Sequence, residues 1–339
     1  MTVTGFTRYP PFIDDLAHSE SGRLLHAELG RRWPESTDPL VGIARYALLP
    51  AGKLLRPMMT LHAAEAVGGS PADVLPAALG MEYLHVATLV HDDIIDADTL
   101  RRGRPAVPVA FGIPNAIVVG DHLIFTAFQS IVESGATAPA GHVAAAVAAL
   151  AEAGRDLCRG QMLETQLVGD LDEGARSYAE MIRLKTGALF RAVCHVGALL
   201  GGAEPQVAAA LARYGEHLGV AFQIRDDLLS YVATPEQTGK PATSDLNNGR
   251  PTLPLLLAYD AATDAARVEL MAVLHRRGAG PGDVEWVAGL LTEVDAVRSA
   301  RRQMVAHAER ALTELAGLAP SPSATVLAGI AHWMTSETA

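Results

Sequence analysis

Hydrophobic residues recur at helical spacing along most of the chain, whereas alternating runs of Val, Ile, Thr and aromatic residues are scarce. Apolar positions three and four residues apart lie on one face of an α-helix, and strict alternation is the mark of a strand. Proline is absent between Pro139 and Pro205 and again between Pro254 and Pro281, and both gaps are rich in the strong helix formers Ala and Leu. The pattern therefore predicts an all-α protein.

The same periodicity predicts where the helices lie. A first helix is expected after Pro11, with Gly22 weakening its middle. The other predicted helices are Ala78–Asp96, Ile117–Val132, Ala144–Leu167, Tyr178–Leu200, Val207–Tyr231, Leu255–His275 and Val284–Leu318. Interior helices that are apolar nearly all round are typical of a bundle. We expect one large helical bundle, with residues 1–339 forming a single domain.

Composition narrows the function classes. Apolar residues make up 49% of the chain, enough for a large core, and the formal charge of −11 disfavours nucleic acid as a partner. Cys158 and Cys194, the only cysteines, make neither a disulfide framework nor a Cys-rich zinc site and suit a reducing compartment. No uninterrupted apolar run of about 18 residues and no secretory signal are visible. We expect a cytoplasmic protein without a transmembrane segment.

Two acidic clusters stand at the ends of apolar helices. Asp92, Asp93 and Asp96 end the first, and Asp226 and Asp227 end the second. Asp92 and Asp96 share one helical face, where like charges destabilise the helix unless a cation bridges them. Mg²⁺ takes one or two carboxylates and completes its octahedron with water and phosphate oxygens. The clusters therefore indicate a Mg²⁺ site; the alternative is a pair of solvated helix ends.

Basic residues gather in short polar elements. Of the 27 basic residues only three are lysine, Lys53, Lys185 and Lys240, and each stands beside Gly or Thr. GKLLRP at 52–57 and RRGRP at 101–105 add arginines to the set. Taken singly, each run fits a solvated surface patch. Taken with a Mg²⁺ site, they indicate pockets for two diphosphates, one held by metal and the other by Lys and Arg alone.

The order and spacing of these motifs resemble the trans-isoprenyl diphosphate synthases, the polyprenyl synthetase family. The matching segments are GKLLRP at 52–57, EYLHVATLVHDDIID at 82–96, LRRGRP at 100–105, VGDHLI at 119–124, KTG at 185–187, FQIRDD at 222–227 and GKPATSDLNNGRPTLP at 239–254. The resemblance covers about residues 40–255. It implies an all-α bundle around a deep central cavity, usually a homodimer, with Mg²⁺ as cofactor and isoprenoid diphosphates as substrates.

The resemblance also implies a role for each site residue. The metal ligands would be Asp92, Asp93, Asp96, Asp226 and Asp227. The allylic diphosphate would be held by Arg101, Lys185 and Lys240, and isopentenyl diphosphate by Lys53, Arg56, His85 and Arg102. Thr186 and Gln223 would point oxygens at the developing allylic cation. The catalytic set is thus Lys185, Thr186, Gln223, Asp92, Asp96 and Asp226, and its reaction is head-to-tail condensation of the two diphosphates.

Departures from the family pattern keep alternatives open. Ser230 stands where the second motif usually has its last Asp, and Arg250 stands where Lys is common. The serine leaves open a non-catalytic or regulatory subunit of a prenyl synthase. A class I terpene cyclase also uses DDxxD. Cyclases need no isopentenyl diphosphate site, however, and their second motif differs from the segment that starts at Asp226.

We expect the length of the prenyl product to be set by residues along the helix before Asp92. In the family, bulky aromatic residues four or five positions before the first Asp stop growth at C15. Those positions here are Thr88 and Ala87, with Leu84 and Met81 deeper along the helix. A helical turn rises about 5.4 Å, close to one extended isoprene unit. We expect geranylgeranyl diphosphate (C20) or a longer product; the alternative is an earlier block by Phe125 or Phe128 on another helix.

Overall fold

The computed structural model describes residues 11–135, 138–232, 244–276 and 278–336. Within these ranges the regular secondary structure is helical apart from one short two-stranded ribbon, which confirms the all-α prediction. The helices are α1 (Pro11–Ala17), α2 (Glu20–Arg32), α3 (Pro39–Leu48), α4 (Leu55–Glu65), α5 (Pro71–Ile95), α6 (Val107–Phe111), α7 (Ile113–Ser134), α8 (Ala140–Leu167), α9 (Gly174–Ile182), α10 (Ala188–Leu200), α11 (Pro205–Val232), α12 (Ser244–Asn247), α13 (Leu253–Ala261), α14 (Asp264–Arg276), α15 (Pro281–Glu293), α16 (Ala296–Glu314) and α17 (Pro322–Ser336).

Several helices are broken where periodicity predicted continuity. The first is divided into α1 and α2, because Ser19 caps α2 by accepting a hydrogen bond from the Gly22 amide at 3.2 Å. Gly22 lies in the first turn of α2, where a Cβ would come within 2.2 Å of the Ala17 carbonyl oxygen. Extended Ala262 separates α13 from α14, and Asp295, with φ of 56°, separates α15 from α16.

The centre of the bundle is α5, which packs against α4, α7 and α10. Small residues let these helices approach closely. A Cβ at Gly80 would lie 3.0 Å from the Ala127 carbonyl oxygen of α7, and one at Gly197 of α10 would lie 2.3 Å from the Thr60 carbonyl oxygen of α4. The core is built mainly from Ala, Leu, Val, Ile and Met. The middle of α5, from Ala77 to Ala87, is buried on most faces, as its sequence predicted.

A two-stranded ribbon follows α5. The strands β1 (Leu100–Arg101) and β2 (Arg104–Pro105) are antiparallel. The two residues between them, Arg102 and Gly103, have φ of 53° and 74°. Positive φ at both positions matches the twist of a tight hairpin, and glycine adopts it without steric cost. The hairpin carries three arginines, Arg101, Arg102 and Arg104, directly after the first acidic cluster.

A π-helical turn, Arg183–Gly187, joins α9 to α10 where one continuous α-helix was expected. Such turns often mark functional sites. This turn carries Lys185 and Thr186. It lies close to α8, since a Cβ at Gly160 would come within 2.4 Å of the Lys185 amide nitrogen.

Among the described residues, α7 is long and apolar enough to cross a membrane, judged by length and composition alone. In the structure, 39% of its most apolar stretch is buried. Asp121 interrupts it, so the sequence shows no continuous apolar run. The buried face packs against α5. The opposite face exposes apolar side chains, among them Val118, Phe125 and Val132.

Candidate active site

A cleft opens at the C-terminal end of α5 and is also lined by α8, α9, the π turn, α11 and the segment before α13. Five carboxylates line the cleft, those of Asp92, Asp96, Asp98, Glu164 and Asp227. Three cationic side chains line it as well, those of Arg101, Lys185 and Arg250. Carboxylates from both acidic motifs therefore line one cleft. Lys240 lies outside the described residues.

Two of the three aspartates of the first motif line the cleft, and the third, Asp93, lines a neighbouring pocket. Asp92 lines the cleft, and burial raises its pKa, while nearby Lys185 lowers it. Asp96 forms an ion pair with Arg250 at 2.6 Å. Asp93 is 2% exposed, accepts a hydrogen bond from Arg101 Nε at 2.8 Å and lines the neighbouring pocket.

The second motif divides its two aspartates between surface and interior. Asp226 is 48% exposed, and its carboxylate lies 4.0 Å from Arg225 Nη1. Asp227 is buried and accepts hydrogen bonds from Tyr178 Oη at 2.6 Å, Gln223 Nε2 at 3.0 Å and the Leu253 amide at 3.2 Å. Asp227, rather than Asp226, is the aspartate of this motif that lines the cleft; the metal-binding role of Asp226 stays a prediction.

Removing the hydroxyl that binds Asp227 should destabilise the protein. Tyr178→Phe is expected to lower the free energy of unfolding by about 1.5–3 kcal/mol, the range for a hydrogen bond to a charged group. Urea denaturation measures the change. Tyr259→Phe is the matched control, since Tyr259 Oη donates to Asp172 at the same 2.6 Å but at the surface, and its loss should be smaller. Equal losses in the two variants would contradict the prediction.

The π turn connects to both walls of the cleft. Lys185 forms an ion pair with Glu164 of α8. Thr186 Oγ1 donates to Gln223 Oε1 at 2.7 Å, and Gln223 donates in turn to Asp227. Both ends of the Gln223 amide are therefore bonded, which fixes the orientation of its carbonyl oxygen.

A second basic cluster lies around Glu82 and His85, two to three turns of α5 before Asp92. Arg56 Nη1 is 3.3 Å from His85 Nε2, and Arg102 Nη2 is 3.8 Å from Glu82 Oε1. Burial, together with Arg56 and Arg102, lowers the pKa of His85 well below its usual value. The imidazole is therefore neutral near pH 7 and offers a hydrogen bond rather than a charge. Lys53 forms an ion pair with Asp14 of α1.

The sequence pattern did not indicate Glu82, Glu164 or Tyr178. Glu82 is 4% exposed; burial raises its pKa, and the two neighbouring arginines oppose the shift. The sequence feature that could have indicated Glu82 is that it is a single charged residue within the apolar segment of α5. Glu164 and Tyr178 carry no such signal, because each lies on a helix with many polar neighbours.

The residues expected to set chain length lie along α5. Met81, Leu84 and Ala87 are buried, and Thr88 donates its hydroxyl to the His85 carbonyl at 2.7 Å. Phe125 is 72% exposed on α7, whereas the cleft is lined by other residues; an earlier block by Phe125 or Phe128 stays an untested alternative. Its neighbour Phe128 packs partly against the core.

Comparison with known proteins agrees with this arrangement. Residues 37–291 match the family model of the polyprenyl synthetases. The chain belongs to the polyprenyl synthetase family. It is 36% identical over 300 residues to a short chain isoprenyl diphosphate synthase of Methanothermobacter thermautotrophicus, covering 88% of this chain and 90% of that protein. It is 35% identical to a geranylgeranyl diphosphate synthase of Methanosarcina mazei, with the same coverage.

Solved structures are similar to this polyprenyl synthetase over nearly its whole length. The geranylgeranyl pyrophosphate synthetase of Pyrococcus horikoshii has a TM-score of 0.86 at 30% identity, covering 96% of this chain and 98% of that one. A polyprenyl synthase of Caulobacter crescentus, complexed with calcium and isoprenyl diphosphate, has a TM-score of 0.85 at 30% identity and the same coverage. These matches confirm the isoprenoid synthase fold and the prenyltransferase class.

The relatives differ in the length of the prenyl diphosphate that they make. An octaprenyl diphosphate synthase of Escherichia coli is 35% identical over 288 residues, covering 85% of this chain and 86% of that protein. Short-chain, C20 and octaprenyl enzymes are thus nearly equally similar to this polyprenyl synthetase. Family membership therefore does not decide the product.

Proposed function

We propose that this protein condenses isopentenyl diphosphate with an allylic diphosphate, with Mg²⁺ as its metal, to give a linear trans-prenyl diphosphate of C20 or longer. The observation that carries the proposal is the placement of Asp92, Asp96 and Asp227 with Lys185 in one cleft, beside a second cluster around Arg56. One polar site with carboxylates and cations, next to another with cations, fits two diphosphates that are bound differently.

The donor set fits Mg²⁺. Within the part of the chain that the structure describes, no group of three or more His, Cys, Asp or Glu side chains is placed to hold a metal ion unaided. Mg²⁺ does not require one, because it keeps several waters and uses substrate phosphates as ligands. Asp92 and Asp96 would hold it from α5, with Asp227 facing them; Asp93 and Asp226 remain ligands that the resemblance implies. The bound ion would offset negative charge on the allylic diphosphate.

Side chains of the protein bind the allylic diphosphate, stabilise the allylic cation and exclude water. Lys185 and Arg101, with Lys240 by resemblance, bind the allylic diphosphate and stabilise the charge on the departing pyrophosphate. The oxygens of Thr186 and Gln223 stabilise the allylic cation. Leu89 and Met181, the apolar lining of the cleft, help to exclude water that would trap it.

The second cluster orients the nucleophile. Arg56, His85, Arg102 and Lys53 hold isopentenyl diphosphate without metal, so that its double bond lies close to the cation. Attack forms the new carbon–carbon bond, and a proton then leaves to the released pyrophosphate. The product keeps a diphosphate and is one isoprene unit longer.

One assay tests the proposal against the alternatives. The purified protein is given Mg²⁺, isopentenyl diphosphate and allylic primers of increasing length, and products are identified by mass spectrometry. Longer linear diphosphates support the proposal. Cyclic hydrocarbons would indicate a terpene cyclase, and activity only after addition of a second synthase would indicate a regulatory subunit.

We also propose that the protein is a cytoplasmic homodimer formed through α7. Val118, Phe125 and Val132 are 55%, 72% and 60% exposed on one helix. Exposed apolar side chains aligned on one helix face indicate an interaction site. A second copy of the chain would bury it in a symmetric interface.

A charge on this face should separate the two copies. Phe125→Glu is expected to change the mass in solution from twice 35.6 kDa to 35.6 kDa, because an unpaired buried carboxylate is strongly disfavoured at an interface. Light scattering coupled to size exclusion measures it. Val268→Glu is the control, since Val268 is also 72% exposed but lies on α14. A monomeric wild-type protein would contradict the proposal.

A further inference from the structure

The N-terminal helix α1 has a defined position on the bundle. Ile13, Leu16 and Ala17 are buried, and the ring of Phe12 lies against α17, where a Cβ at Gly329 would come within 2.8 Å of it. Because one face of α1 is packed in this way, the position of Asp14 on the same helix is also defined.

Asp14 forms an ion pair with Lys53. Lys53 stands at the turn before α4, next to Gly52, where a Cβ would lie 3.4 Å from Arg102 Nη2. The lysine is therefore beside the cluster proposed to bind isopentenyl diphosphate. Asp14 itself lies before residue 37, where the match to the family model begins, so the family motifs assign it no role.

We propose that Asp14 sets the affinity for isopentenyl diphosphate by competing with its diphosphate group for Lys53. The inference rests on the proposed function. The carboxylate acts in two ways: it occupies donors of the Lys53 ammonium group, and it places a negative charge beside the approaching anion. The residues proposed to bind the allylic diphosphate, Arg101, Lys185 and Lys240, do not include Lys53, the partner of Asp14, so the effect is specific to one of the two substrates.

Steady-state kinetics test this competition. Asp14→Asn is expected to lower the KM for isopentenyl diphosphate about two- to fivefold, the range that an exposed ion pair supplies. The KM for the allylic diphosphate should not change. The side chains of the pair are 38% and 48% exposed, so the difference between Asp14→Asn and wild type should shrink at about 1 M salt, where charges are screened within about 3 Å.

Two variants on the same helix make the test specific. Asp15→Asn removes an equal charge from the neighbouring exposed residue, which is not the partner of Lys53, and should leave both KM values at the wild-type level. Asp14→Glu keeps the carboxylate and should restore the wild-type KM. Equal KM values for isopentenyl diphosphate in Asp14→Asn and Asp15→Asn, or a higher value in Asp14→Asn, would overturn the inference.

Failure of the proposed function gives a different result. In that case the wild type and all variants, though folded by circular dichroism, leave isopentenyl diphosphate unused with every primer. Calorimetric binding of inorganic pyrophosphate then still decides the inference: tighter binding to Asp14→Asn than to Asp15→Asn supports the competition for Lys53, and equal binding refutes it.

Discussion

Asp92→Asn is expected to lower kcat/KM for the allylic diphosphate by about 10³-fold while leaving the protein folded. A carboxylate that holds a catalytic metal contributes several kcal/mol to the transition state, and about 1.4 kcal/mol corresponds to a factor of ten in rate. Burial raises the pKa of Asp92, which means that the site disfavours a lone charge. A neutral amide of the same shape should therefore not lower the free energy of unfolding.

The control and the metal dependence sharpen this prediction. Asp73→Asn changes an exposed aspartate near the opposite end of α5 and should keep wild-type activity. A chelator should abolish wild-type activity, and added Mg²⁺ should restore it. Asp92→Asn should require a higher Mg²⁺ concentration for its residual activity. If Asp92→Asn turned over like the wild type, the metal site would have to lie elsewhere.

The part of the site that is local in sequence could be predicted from the sequence. Asp92 and Asp96 are four residues apart, so the helix places them on one face whatever surrounds it. The arginines at 101 and 102 follow the same helix through a hairpin of only a few residues. Short connections of this kind leave little freedom, and the side chains therefore lie near the first acidic motif.

The rest depends on tertiary contacts that periodicity does not report. Asp227 is directed into the cleft by Tyr178 of α9 and the Leu253 amide of α13, both far away in sequence. The same holds for Glu164, which meets Lys185 because α8 passes the π turn at Gly160. Spacing within α11 does not show whether Asp226 or Asp227 enters the cleft, because the elements packed against that helix determine which of the two does.

Thr88→Phe is expected to shorten the product from C20 or longer to C15. Thr88 lies one turn before Asp92 on the same face of α5, and its hydroxyl is already bonded to the His85 carbonyl. Its polar atom is therefore satisfied within the helix, and the side chain occupies little of the space along which the product tail is proposed to run. A phenyl ring would fill that space. Mass spectrometry of the products formed from geranyl (C10) and isopentenyl diphosphates measures the change.

Thr88→Val tests whether the volume of the side chain or its hydroxyl sets the product length. It removes the hydroxyl without adding length, so the product should stay as in the wild type. Leu84→Ala widens the space one turn deeper, where the side chain is 4% exposed, and should lengthen the product. If Thr88→Phe still makes the wild-type product while remaining active, the tail does not follow α5. The limit on product length would then have to lie on another helix, and Phe128 of α7 would be the first residue to replace, since it packs partly against the core whereas Phe125 is exposed.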